Sequence, residues 1–399
     1  MTALNFLISL SMMIVTPLAP QFSAALGVSA AKVGWISGSF TAAAAVSGVI
    51  AALFIDRFDR RVGLAVTLSG LVACSLASGL AFDLTSLMAA RVIGGLFGGP
   101  AGALSTSVLA DNVPVERRGR AMGTAMGAIA ISNIVGVFLG IVLANIGGWR
   151  LPFFVLTGLG VLLTVAVLRV LPPQRAHLAA VAGQREHPFL RMMRIALRPA
   201  SLTAFLLGVV SNIPNVMIQV NMPVFVTRNL GFPLARLQYI YLVTGLLSYV
   251  GMQVAGRLTD RFGGTIASTA IAVLTCLSLY LLYYDWQWLA LPLLILVPIV
   301  NLLNVVLYVA QSTVISRVAP PAERASFMAM YQSVQQISMA AGAVASSFIL
   351  GTAADGSLTH MPEMVLYAFA MILASPVVMA VLERAVRRHD ASVATPASA

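Results

Sequence analysis

Apolar windows about 20 residues long recur from one end of the chain to the other, with the charges confined between them. That is the length a helix needs to cross the hydrocarbon of a bilayer. Of the 399 residues, 59% are hydrophobic and only 9% are charged, whereas a soluble domain carries roughly 25% charge. A soluble core of this size has no means of hiding so much apolar surface. Lipid offers no partner to free backbone amides, so spanning segments are helices or closed barrels. Barrel strands would alternate polar and apolar residues, and these windows do not. The expected fold class is an all-α membrane protein. Spans are expected at residues 3–25, 33–54, 63–83, 86–110, 121–145, 151–171, 201–227, 237–256, 264–283, 289–316, 325–351 and 363–384. Twelve spans put both termini on one side.

The cations say which side. The loops on the side of the termini hold nineteen, among them Arg57, Arg60, Arg61, Arg117, Arg118, Arg120, Arg257, Arg261, Arg317, Arg324 and Arg384. The opposite loops hold four: Lys32, Arg150, Arg228 and Arg236. Positive loops stay in the cytoplasm, so both termini are expected there, in a bacterial inner membrane. The net charge of +11 does not indicate a nucleic-acid partner, because the basic residues form neither one face nor a tail. Cys74 and Cys276 each fall within a span and read as small buried hydrophobes. The first apolar run is too long for the core of a signal peptide and no positive segment precedes it, so it is expected to be retained as the first span.

One loop is long. It starts at Pro172-Pro173, contains Gly183 and ends in HPFLRMMRIALRP. Phe189, Met192, Met193 and Leu197 allow an apolar stripe with arginines beside it, the pattern of a helix lying on a membrane surface; a flexible linker is the alternative. The expected organisation is a six-helix bundle over 1–171, a linker over 172–200, a second bundle over 201–384 and a tail over 385–399.

The two halves echo each other. Asp-Arg-Phe occurs at 56–58 and again at 260–262, and Pro-Val-Glu-Arg at 114–117 is matched by Pro-Ala-Glu-Arg at 321–324. Duplicated bundles of this kind build transporters whose site lies at the midplane between the halves.

These residues resemble the major facilitator superfamily. GRLTDRFGG (256–264) is similar to its signature in the loop between the second and third helices of each half. The first copy keeps the acid and the arginines but has Ala52 and Asp59 where glycines are usual. RVIGGLFGG (91–99) and VPVERRGRAMG (113–123) resemble the fourth helix and the loop after it. GVFLGIVLANIGGWR (136–150) resembles the fifth helix of the 12-helix drug/proton antiporter branch. The resemblance implies a gating role for Asp56, with Arg57, Arg60, Arg61, Arg117 and Arg118 as its basic surroundings, and for Asp260 with Arg261 in the second half. Gly256 and Gly263 would permit the tight turn. Helix N-termini favour anions, which suits Asp56 at the start of the third span. Arg91 lies within the fourth span, where a charge is expensive and usually functional; the family motif turns it inward, for anion contact or proton coupling. The glycines at 94, 98 and 102, and at 136 and 140, read as seams for close helix packing.

The second half carries amide stripes. At about 100° per residue, Asn212, Asn215 and Gln219 share one narrow face of the seventh span. Asn301, Asn304, Tyr308 and Gln311 repeat that spacing on the tenth, Tyr241, Thr244 and Ser248 on the eighth, and Gln332, Gln335 and Gln336 stand on the eleventh. Polar faces in a membrane look toward protein or a water-filled cavity; interhelical bonding is the alternative reading. In the superfamily, the seventh, eighth, tenth and eleventh helices line the central cavity. The acids sit at span ends rather than in their middles, and Ser11 stands where the antiporter branch often has an aspartate. A monomeric secondary transporter is therefore expected, with no cofactor or metal. It would export a neutral or anionic amphiphile by alternating access, with protons as coupling ion and lipid around it. A uniporter, or a proton-coupled importer of a sugar-like or carboxylate solute, is the rival. A membrane enzyme would need an acid, base, nucleophile or metal cluster near the membrane, and His177, His187, His360 and His389 are scattered through loops and tail.

Overall fold

Proline and glycine punctuate an otherwise helical chain. The computed structural model describes residues 2–27, 29–52, 58–112, 131–173, 188–284, 293–316, 318–319 and 323–394. The first span is two helices, α1 (Thr2–Met13) and α2 (Ala19–Leu26), separated by turns. Pro17 lies in that break and Pro20 in the first turn of α2, which fits a residue with no N–H to donate. Gly27, at φ +62°, ends α2 in the left-handed conformation that glycine adopts most readily. Then follow α3 (Val33–Ala52), α4 (Arg60–Gly79), α5 (Leu84–Asn112), α6 (Val137–Gly147) and α7 (Leu151–Val170). After the linker come α8 (Pro188–Ala196), α9 (Pro199–Val224), α10 (Leu237–Phe262), α11 (Gly264–Tyr284), α12 (Leu293–Ile315), α13 (Arg324–Ile349) and α14 (Met361–Ala394). A short antiparallel hairpin, β1 (Gly351–Thr352) and β2 (Leu358–Thr359), joins α13 to α14.

Among the described residues, eight helices are long and apolar enough to cross a membrane. Helices α10 and α13 are also long enough, but the polar residues on their faces lower their hydropathy. Two buried clusters form within the first half, one around Leu10, Phe22 and Trp149 and one around Leu64, Leu68 and Leu104. Two more lie in the second half, one around Val300, Leu279 and Val365, which also takes in Ala19, Ala31 and Val33 of the first half, and one around Ile315, Phe327 and Leu382. The expected seam holds at Gly94 and Gly98, where a Cβ would stand 2.1 Å from Cys74 Sγ and 3.0 Å from the Phe40 ring, but not at Gly102, and a second seam lies one residue further on. A Cβ on Gly95 would stand 2.2 Å from the Phe40 carbonyl oxygen, and one on Gly102 would meet nothing within 4 Å. The α3–α5 contact thus runs backbone to backbone through Gly95 and Gly99.

The sequence repeat has a structural counterpart with one substitution of parts. Asp59 caps α4, its Oδ1 accepting from the Arg61 N–H at 3.0 Å. The equivalent position before α11 is Gly263, at φ +82°, which has no side chain to cap with. Glu383 of α14 supplies the missing carboxylate: its Oε2 accepts from the Thr265 N–H at 3.0 Å and from the Thr265 hydroxyl at 2.6 Å. Removing this cap with Glu383→Ala is expected to cost about 1–2 kcal/mol. Thermal unfolding of the purified protein checks this; an unchanged midpoint would refute the capping role.

Candidate functional site

The halves meet at their arginine-poor end. Helices α3 and α13 approach so closely there that a Cβ on Gly34 would lie 2.0 Å from the Ala343 carbonyl oxygen and 2.4 Å from Ser347 Oγ. Trp35 and Phe348 close beside them, ring centroids 5.3 Å apart and edge to face. The hairpin reaches across as well. Thr352 Oγ1 lies 2.6 Å from Ser29 Oγ and accepts from the Ala31 N–H at 3.1 Å. Asn229, at the end of α9, holds the hairpin in place with two bonds to the backbone of Leu358. On the other flank, Asn145 at the end of α6 donates to Gln238 of α10 at 3.1 Å. Every one of these bonds is between neutral groups.

The basic residues do different work. Arg60 Nη1 donates to the Ser107 carbonyl at 3.5 Å, and Arg61 Nη2 donates to the Leu168 carbonyl. Ser107 and Leu168 sit in the last turns of α5 and α7, where the carbonyl ends of helices favour cations. Both arginines therefore bind within their own half. Arg261 stands over the Phe262 ring at 5.3 Å. Asp56, Arg57, Arg117 and Arg118 lie outside the described residues, and Gly256 and Asp260 are placed only as positions on α10. In the Gly148-Trp149-Arg150 stretch, Gly148 turns at φ +76°. Trp149 packs on Phe22, and Arg150 donates to the Ala81 carbonyl at 3.0 Å.

Helix α5 begins with reciprocal bonds between Asp83 and Ser86, which hold the Asp83 carboxyl below the usual carboxylate range. Two turns on, Arg91 is 2% exposed. Its guanidinium carbon sits 4.2 Å over the Phe40 ring of α3, and its Nε and Nη2 have no hydrogen-bond partner among the described residues. It points into the packing of the first half, toward α3, rather than to an acidic side chain.

The amides divide into groups. Asn212, Asn301 and Asn304 each donate Nδ2 to the carbonyl four residues back, Gly208, Val297 and Val300, at 2.8–3.0 Å. Such back-bonding spends the amide's hydrogens locally and leaves its oxygen to face elsewhere. Asn215 Oδ1 and Gln336 Oε1 are buried with no partner among the described residues, as is Thr244 Oγ1. Gln219 and Gln332 are exposed, and Tyr241 packs half-buried against the second half's core. Gln311 turns away from the stripe and donates to Ser375 of α14 at 3.3 Å, buried between helices.

Three residues are brought together. Gln335 Nε2 of α13 lies 3.4 Å from both the Tyr308 hydroxyl of α12 and the Tyr331 hydroxyl. Tyr331 in turn touches Gly208 of α9, below Asn212. The outer side of α12 is marked by Leu296, Ile299 and Leu303, which with Leu274, Leu277 and Leu281 of α11 line an apolar groove of about 330 Å³. Tyr308 lies roughly 150° round the helix from that groove and is 41% exposed, so its open side faces inward. With Gln335 donating to both phenol oxygens, the phenols direct their own O–H groups elsewhere; Gln335 and Tyr331 are buried, and only Tyr308 is open. Tyr331 is absent from the sequence expectation. It stands one turn before Gln335 on the same face, and that spacing is the signal that could have found it.

These arrangements agree with what the chain resembles. The sequence profile of the Major Facilitator Superfamily matches residues 1–343. A chloramphenicol resistance protein of Streptomyces lividans is 27% identical over 371 residues, covering 90% of each chain. The tetracenomycin C resistance and export protein of Streptomyces glaucescens is 30% identical over 173 residues, 43% of this chain and 32% of that one. Among solved structures, the D-xylose–proton symporter superposes with a TM-score of 0.75 at 16% identity, covering 95% of both chains. A bacterial homolog of the lysosomal transporter Spinster, inward-facing and occupied, superposes at 0.66 with 16% identity, covering 98% of this chain and 95% of that one. At such identities the structures share the fold. With two helical bundles in close contact at one end and a family profile over most of its length, this chain is an integral membrane transporter that belongs to the major facilitator superfamily.

Proposed function

We propose that the protein exports a small neutral or anionic amphiphile by alternating access, driven by protons. The observation that carries this reading is the closed arginine-poor end above an inner wall of Tyr308, Gln335, Tyr331 and Asn212. By the positive-inside rule the sealed end faces outward and the cargo enters from the cytoplasm. The wall offers hydrogen bonds and aromatic surface but no fixed charge, which suits cargo whose polar groups are carbonyls, hydroxyls or similar acceptors. The named resistance and export relatives support the outward direction. Arg91, buried in the first half, is the residue to which this reading gives anion contact or modulation of proton coupling. A uniporter remains the second reading, because among the described residues no carboxylate occupies the middle of a span.

Counterflow of labelled chloramphenicol in proteoliposomes, with and without an imposed pH gradient, separates the two: the gradient accelerates flux in an antiporter and leaves a uniporter unchanged. Tyr308→Phe combined with Gln335→Leu is expected to weaken cargo affinity about thirtyfold, since two lost hydrogen bonds at about 1 kcal/mol each amount to about 2 kcal/mol. Binding measured by thermal shift at graded ligand concentration checks it. Undiminished affinity would remove this wall from the site.

A further inference from the structure

Helix α8 has two apolar sides, and only one is covered. Ile195 is 1% exposed and belongs to the buried cluster of Leu207, Ile315, Phe327, Tyr331 and Leu382. The turn after α8 is tied down too: Arg198 binds both carboxylate oxygens of Glu323, Nη2 to Oε1 at 3.1 Å. The linker helix is thus fixed to the second half, at its arginine-rich end.

The opposite edge is bare. Leu190, Met193 and Leu197 are 61%, 42% and 62% exposed. At about 100° per residue they fall within some 60° of one another, on successive turns. Leu202 and Leu206 of α9, the next helix, are exposed as well, at 49% and 51%. Position 194, an arginine, borders this edge at about 40° from Leu190, position 191, also arginine, lies about 100° round, and residues 188–198 contain no acid. An apolar edge flanked by arginines at the rim of a membrane-spanning bundle matches one partner in both shape and charge.

We infer that α8 is an anionic-phospholipid contact: its bare edge enters the acyl boundary, and its arginines meet the phosphates of the leaflet on the arginine-rich side. Basic residues near a charged leaflet contribute about 1 kcal/mol each, so each arginine enriches anionic lipid locally roughly fivefold. Because α8 is docked on the second bundle, that contact tethers this bundle alone to the leaflet. The amount of anionic lipid then biases how easily the bundle tilts against its partner. The inference does not depend on the cargo or its direction.

The test places a tryptophan on the bare edge. The full chain carrying Leu190→Trp is reconstituted in phosphatidylcholine bilayers doped with brominated phosphatidylglycerol or with brominated phosphatidylcholine. The emission difference from the parent chain is then read. Quenching at least twofold stronger by the brominated phosphatidylglycerol is expected, with the preference lost on adding Arg191→Gln and Arg194→Gln. Equal quenching by the two lipids would overturn the anionic contact. Quenching by neither, with blue-shifted emission, would mean that another segment of the chain, such as 174–187, covers the edge, and would overturn the lipid contact altogether.

Discussion

Gly34→Val is expected to abolish transport, or reduce it at least tenfold, in a protein that still folds. The hydrogen of Gly34 faces the carbonyl of Ala343, where a Cβ would stand 2.0 Å away. That neighbour is backbone, so no rotamer change relieves the clash; one bundle has to move off the other. Overpacking a close contact costs typically 1–3 kcal/mol, enough to shift an equilibrium between two conformers by roughly 5- to 150-fold. In alternating access the sealed conformer is expected to bear the cost. Spin labels at Lys32 and Asp355, both exposed at that end, should move apart in the variant. Gly102→Ala, at a position with nothing within 4 Å, is the matched control and should leave both distance and flux alone. An unchanged label distance in Gly34→Val would show that the two helices are not the closing contact.

Arg91→Met should move stability and activity in opposite directions. A buried cation without a carboxylate partner carries a desolvation cost of several kcal/mol, and one aromatic face returns about 2 kcal/mol. Methionine keeps much of the length, removes the charge and lets Phe40 and its surroundings pack on an apolar chain. Unfolding should therefore require more, by about 1–4 kcal/mol, while transport falls at least tenfold. A variant that is both more stable and fully active would make Arg91 dispensable. One that is less stable but active would make it a packing residue.

Most of the architecture was legible because membranes impose strict rules. Span lengths and the Asp-Arg-Phe repeat follow from bilayer thickness and duplication, and both can be read without neighbours. What a helix face touches cannot. Gln311 shares its angular position with the Asn301 stripe, yet Ser375 of α14 takes its amide; nothing within α12 signals that. Asn301 and Asn304 satisfy their own hydrogens on their own helix, so a polar stripe overstates how many donors a cargo meets. The glycines of α5 make two seams because Gly94-Gly95 and Gly98-Gly99 are adjacent pairs, one member packing on Cys74 and the Phe40 ring and the other on the α3 backbone, and a four-residue period shows only one of them. Tyr331 was overlooked because a phenol in an apolar run reads as filler until Gln335 is seen against it.

The borrowed carboxylate at the start of α11 bears on how the protein is made. In the first bundle, Asp59 serves the amide of Arg61 two residues on, so that helix start is complete as soon as it leaves the ribosome. In the second, Thr265 waits for a glutamate 118 residues downstream. Chains fold in the order in which they are synthesised, so the later bundle stays unfinished until its final helix has entered the bilayer. Truncation or stalling near the C-terminus would thus leave a finished first half joined to an open second one, and give quality-control proteases a well-defined place to begin.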